Sequence, residues 1–232
     1  MTMQMAALND PVISMMDSID SGQLLPIAIL ILFVLIFLIY ALMTHFKLRR
    51  KVGKVDDALE ELARNDPVWN KERLLGFVDG HTRGLMRAWS AKDRETLKVL
   101  LSTDLYLNRE QVLEKLDSVK QTNVIDSVEI KEVLFVDVQD FTNDEFDRFT
   151  IRLEYDAVNY TKDHRGNWAE PAWGGADIDA NPEMKSRTYI EFWTYLRTGD
   201  SWKLHQMEKE WKEGNYTDSE PILEDEKYEA RM

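Results

Sequence analysis

From Leu24 to Met43 the chain reads LLPIAILILFVLIFLIYALM, 20 positions without a charge or a strongly polar group. At about 1.5 Å per residue a helix of this length covers about 30 Å, the thickness of a bilayer's hydrocarbon core. A buried core helix is usually shorter and carries polar residues along one side. The pattern therefore predicts one membrane-spanning helix over residues 24–46. A cleavable signal peptide fits poorly. Residues 1–23 hold no Lys or Arg, the apolar run is too long, and no small-residue cleavage site follows.

The periodicity then changes. Leu48, Val52, Val55, Leu59 and Leu62 alternate at spacings of four and three, a seam of coiled-coil type. Such a seam pairs with a second copy through residues 48–62 or folds back onto the chain's own domain. Asp66-Pro67 closes this stalk and opens the next helix, with Asp as N-cap and Pro at the first helical position. Within that helix Leu74, Phe77, Val78, His81, Leu85 and Trp89 share one face. Beside them runs a stripe of small residues, Gly76, Gly80, Gly84 and Ala88. Each glycine costs a helix about 1 kcal/mol relative to Ala. The stripe thus predicts close approach of another backbone, either the protein's own sheet or a partner helix. A second helix is expected over 92–102 and a third from Asn108, with Gln111 in capping-box register.

Further on the period drops to two. Ser127–Val138 reads as a strand, and in Arg148–Tyr160 the residues Phe149, Ile151, Leu153, Tyr155 and Ala157 face one way. Arg187–Arg197 and Ser201–Trp211 are two more strands joined through Gly199-Asp200, a hairpin signal. Helices first and strands afterwards predict an α+β domain with an antiparallel sheet.

Charge gives this layout a direction. The chain carries 29 basic and 42 acidic residues, a net charge of −13, which argues against nucleic acid as a partner. Residues 1–23 hold Asp10, Asp17 and Asp20, whereas Lys47, Arg49, Arg50, Lys51 and Lys54 follow the apolar run. This asymmetry predicts that the C-terminal side faces the cytoplasm, or the equivalent inner compartment of an organelle, with the N-terminus outside an inner membrane. Topology alone explains the basic cluster; contact with anionic lipid head groups would add roughly 1 kcal/mol per residue near the surface. In that orientation the sequons at Asn159 and Asn215 would never meet a glycosylation enzyme. With no cysteine in the chain, disulfides, thiolate metal sites and thiol catalysis are excluded.

The helix pattern Phe77–Ser102, the strand around Ile151–Tyr155, the aromatic strand with Trp193 and Arg197, and the Trp202-Lys203-Leu204 start of the last strand go together. Over about residues 66–212 the chain resembles the C-terminal domain of mitochondrial inner-membrane translocase subunit 44 and its bacterial membrane-anchored relatives. The resemblance implies a cone of the nuclear-transport-factor-2-like type, three helices on a curved antiparallel sheet, with a hydrophobic pocket at one end. It also implies contact with lipid or protein partners at a membrane's inner face. The long region that would recruit an import motor is missing, so that activity is not implied.

Cones of this type also include enzymes with a pocket base. Here His81 and Asp156 are the candidates for a small-molecule enzyme, although His81 sits where a core histidine would. No histidine pair has metal-ligand spacing and no nucleophile has its usual context. Asp177, Asp179 and Glu183 fall within seven residues but lack calcium-loop spacing. The aperiodic stretch 169–186, with Trp173, has the length of a lid or a mobile insertion.

The sequence thus predicts an extracytoplasmic segment (1–23), a membrane helix (24–46), a basic stalk (47–65), an α+β domain (66–212) and an acidic disordered tail (213–232). The expected function is a non-enzymatic scaffold without cofactor or metal. Lys47, Arg49, Arg50, Lys51 and Lys54 would meet lipid, and Trp173, Trp193 and Tyr195 a partner or ligand. An accessory subunit of a larger membrane complex is the remaining alternative.

Overall fold

The computed structural model describes residues 21–171, 184–209, 221 and 223. It divides into two compact units, Met1–Lys47 and Leu48–Met232. The first contributes most of helix α1 (Ser21–Asn65), whose apolar part is long enough to cross a membrane. Its side chains are bare, with Phe37 70% exposed. A run of exposed aliphatic and aromatic residues this long is untenable in water, and a bilayer is the solvent that suits it.

In the second unit the end of α1 joins the core. Val55, Leu59 and Leu62 are buried in the main hydrophobic cluster. Their burial is worth roughly 5–8 kcal/mol as an upper bound. The seam therefore folds onto the domain's own core. Lys51, 4% exposed, reaches Asp137 at 3.3 Å from the same helix.

Asp66 caps a 3-10 turn, Pro67–Trp69, rather than an α-helix, and Asn70 caps α2 (Lys71–Ala91) through the Arg73 amide. Helix α3 (Arg94–Leu100) starts at the Asp93 cap. Helix α4 (Thr103–Ser118) is capped by Ser102 and so begins five residues before the expected Asn108, which lies inside it. The glycine stripe is a second correction. Gly76 and Gly80 are exposed and a Cβ at either would touch nothing within 4 Å, while one at Gly84 would meet only Leu100 at 3.8 Å. Among the described residues, no close approach of the chain's own backbone explains the stripe.

The strands β1 (Gln121–Gln139), β2 (Arg148–Asp163), β3 (Arg187–Thr198) and β4 (Ser201–Lys209) form one antiparallel sheet in sequence order. β1 starts six residues before the expected Ser127 because two bulges, after Asp126 and Ile130, interrupt its alternation. A third lies after Phe135, and each bends the strand. The β3–β4 hairpin turns at Gly199, whose φ of 60° suits a residue without Cβ. Helices cover one sheet face, where Phe149 stacks on Tyr195 at 4.9 Å and meets Trp202 edge-on at 4.8 Å. Arg197 ties the ends together through Asp66 (2.7 Å), Asp144 (3.2 Å) and Asp147 (3.0 Å).

Candidate ligand cavity

Alternation along β3 puts Tyr189, Glu191, Trp193 and Tyr195 on the helix-facing side, and register sets them opposite Tyr155, Leu153, Ile151 and Phe149 of β2. The filling of this face is uneven. Around Tyr195 it is solid: the hydroxyl approaches His81 Nδ1 at 3.4 Å, and Phe77 and Phe149 close on the ring. Toward the start of β3 it opens into a cavity of about 140 Å³. Leu85, Met86 and Trp89 of α2 form one wall and Tyr155, Tyr189 and Trp193 the other, with Arg109, Met207 and Lys209 at further points of the lining.

The walls are largely aromatic and aliphatic, but two acidic residues, Glu191 and Glu208, are part of the lining. Glu191 lines the cavity and accepts a 2.7 Å hydrogen bond from Trp193 Nε1. Burial pushes the carboxyl's pKa above the ordinary range, and the indole N–H and the nearby Arg109 pull against that shift. Burial likewise pushes up the Tyr155 hydroxyl, whose ring stacks on Tyr189 at 5.2 Å. Arg109 Nη2 lies 3.8 Å from Met207 Sδ. Elsewhere on the wall Asn123 accepts from Trp89 Nε1 (2.7 Å) and donates to Asn159 Oδ1 (2.8 Å), which fixes the Trp89 indole. The arrangement suits a small apolar group with a polar end: dispersion from the rings, the Glu191 carboxyl as an acceptor, and a guanidinium nearby.

The sequence pattern of the Tim44-like domain matches residues 55–209, more than half of the chain. The chain belongs to the Tim44-like domain family. This family is associated with membrane-linked protein translocation or scaffolding, and its domains bind membranes and protein partners in general. The crystal structure of the intermembrane space region of chloroplast protein ARC6 is similar at a TM-score of 0.37 and 9% identity, over 57% of this chain and 92% of that one. No curated protein sequence matches the chain. The start of the Tim44-like match at Val55 takes in the part of α1 that is buried in the core.

Of the residues expected to face a partner in the Tim44-like domain, Trp193 lines the cavity and Tyr195 is core. Trp173 lies outside the described residues, as do Asp177, Asp179 and Glu183. In the basic cluster Lys47, Arg49, Arg50 and Lys54 are exposed, whereas Lys51 is turned inward to Asp137. Neither candidate base lines the cavity. His81 is buried with Nε2 3.0 Å from the Leu100 carbonyl, and burial lowers its pKa. Asp156 lies on the other sheet face, accepting from Thr188 at 2.7 Å and pairing with Lys131. Sequence reasoning missed Glu191, Arg109 and Tyr189. The signal for Glu191 was its place on the same face as Tyr189, Trp193 and Tyr195, a carboxylate set among aromatic residues. Among the described residues no cluster could hold a metal ion.

Proposed function

We propose that the chain is a single-pass membrane protein whose Tim44-like domain is a binding module, facing the cytoplasm and capturing a protein partner or lipid at the membrane's inner face. The carrying observation is the preformed aromatic cavity in a domain that follows an apolar helix of membrane-spanning length. Trp193 is the anchor residue of this reading. Lys47, Arg49, Arg50 and Lys54 are the lipid-facing cations; they follow the apolar segment and are solvent-accessible. The three bulges of β1 and one in β4 support a curved sheet of the nuclear-transport-factor-2-like cone type.

The test is a photoreactive benzoylphenylalanine in place of Tyr189 in the full chain, irradiated in native membranes. A reproducible protein or lipid adduct that disappears when Leu85→Trp fills the cavity supports the reading. Absence of any such adduct refutes it. Orientation has a clean assay because the chain has no cysteine of its own. Ser18→Cys should react with an impermeant maleimide on intact cells, and Thr198→Cys only after permeabilisation.

One observation favours a second reading. A carboxyl with a raised pKa in a cavity, as at Glu191, is what a general base needs. An enzyme of this kind would use Glu191 rather than His81 or Asp156, and Glu191→Gln would abolish turnover while leaving binding intact.

A further inference from the structure

The polar groups of the cavity are engaged unevenly. Asn123 accepts from the Trp89 indole and donates to Asn159, so these wall groups satisfy one another. Glu191 accepts from Trp193 Nε1 at 2.7 Å and has the Tyr155 hydroxyl beside it. Glu208 sits opposite Phe192, where alternation turns its side chain to the other face of β4, and its carboxylate accepts from Gln206 Nε2 at 2.8 Å. Arg109 of α4 differs. Its guanidinium is half-buried, lies 3.8 Å from Met207 Sδ, and forms no ion pair among the described residues. The neighbouring carboxylate, Glu110, is held by Arg94 at 2.8 Å. A guanidinium carries five donors in a planar fork that matches a carboxylate, and a thioether uses them poorly.

We propose that the cavity binds a carboxylate with an apolar body about one ring in size, the carboxylate on Arg109 and the body among Trp89, Tyr155, Tyr189 and Trp193. Charge favours an anion. On the cavity face of the β3–β4 ladder Glu191 stands opposite Lys209, and Arg109 adds a second cation from α4. Burial raises the Glu191 pKa, which weakens the charge that would oppose an incoming anion. The four rings by themselves would also suit an organic cation, held over their faces. The two resident cations count against that ligand. Size narrows the class further. A cavity of about 140 Å³ is comparable to one of about 150 Å³ that holds benzene, so it takes one ring or a short branched chain rather than a long acyl chain. The rings supply dispersion and the fork supplies paired, charge-assisted hydrogen bonds.

This inference rests on the cavity reading of the proposed function and names the ligand class. The probe is 3-(4-fluorophenyl)propanoate, followed by ligand-observed fluorine NMR on the full chain in nanodiscs of zwitterionic lipid. Leu85→Trp, which fills the cavity, should abolish binding. Arg109→Gln should weaken it roughly 10- to 100-fold, the range for hydrogen bonds to a charged group. Arg109→Lys keeps the charge without the fork and should fall in between. Glu191→Gln should tighten binding, because it removes a like charge. A cooperative thermal transition shows each variant to be folded. The amide of the same acid and 2-(4-fluorophenyl)ethylammonium should bind the parent at least about tenfold more weakly than the acid. No binding of the acid, unchanged affinity in Arg109→Gln, or tighter binding of the ammonium overturns the proposal. Displacement of the probe by the peptide Gly-Gly-Gly-Phe, but not by its C-terminal amide, assigns the carboxylate to a protein's chain end; no displacement assigns it to a free acid, and either result upholds the carboxylate. A photo-adduct at position 189 without binding of the acid would refute this ligand and leave the proposed function standing; binding of the acid without an adduct would do the reverse.

Discussion

Replacing the two exposed glycines of α2 by alanine should stabilise the domain. Gly76 and Gly80 lie well inside Lys71–Ala91, their φ values are not left-handed, and an added Cβ at either meets nothing within 4 Å. The only remaining terms are the entropy that glycine loses on entering the helix and the exposure of its backbone. Each is removed by Ala for about 1 kcal/mol, hence about 2 kcal/mol for Gly76→Ala/Gly80→Ala. In a domain of this size that is a rise in Tm of about 4–8 °C. The assay is urea and thermal unfolding of the full chain in one fixed detergent, each single variant and the pair, followed by circular dichroism. Sites four residues apart on one helix face and without a shared contact should give nearly additive effects. A fall in stability for either variant would show that the stripe packs against something, and would refute the reasoning.

Three other outcomes follow from polar groups of the domain. Lys51→Met should cost about 3–5 kcal/mol because it removes the cation 3.3 Å from the buried Asp137, and Lys51→Met/Asp137→Leu should recover much of that loss in the same unfolding assay. Arg197→Lys should cost about 2–3 kcal/mol, since a point charge cannot serve Asp66, Asp144 and Asp147 as the guanidinium does; wild-type stability would contradict this. Burial raises the Asp147 carboxyl from 3.8 to about 6 in the folded domain, against the pull of the Phe141 amide and Arg197. Its favourable contribution is then full below pH 3.8 and lost as the pH rises through about 6, by roughly 3 kcal/mol. The stability difference between Asp147→Asn and the parent should accordingly favour Asn more at pH 7.5 than at pH 4.5, and a difference independent of pH would sink the argument.

Much of the architecture could be read from periodicity. The apolar run, the clean alternation of β2 and the Gly199-Asp200 hairpin are local signals, and local signals survive folding. The glycine stripe misleads for a geometric reason. Residues four apart on a helix advance by about 40° per step, so three steps carry the stripe about 120° around the axis. It starts exposed at Gly76, is half-buried at Gly84 and is buried at Ala88, which no single-face reading captures. The Asn108 signal was overridden by Ser102, whose backbone amide already donates to Leu204 of β4 when its hydroxyl caps α4. The cavity was only half legible. Trp193 stood out by type, but the significance of Glu191 and Arg109 depends on a strand and a helix meeting across more than 80 residues of chain, which no spacing in the sequence encodes.

That the last strand completes the first helices also bears on how the protein is made. Trp69 rests edge-on against Trp202 at 4.9 Å, and Leu101 bridges to Leu204. At about 5–20 residues per second, the roughly 130 residues between the two tryptophans take on the order of 10 s to synthesise. For that interval Trp69, Leu101 and α4 have left the ribosome without the strand they pack on, while the apolar segment ahead of them is already synthesised. Transiently exposed apolar surface of this kind is what chaperones bind, and a ribosome stalled before Leu204 would leave the domain unclosed.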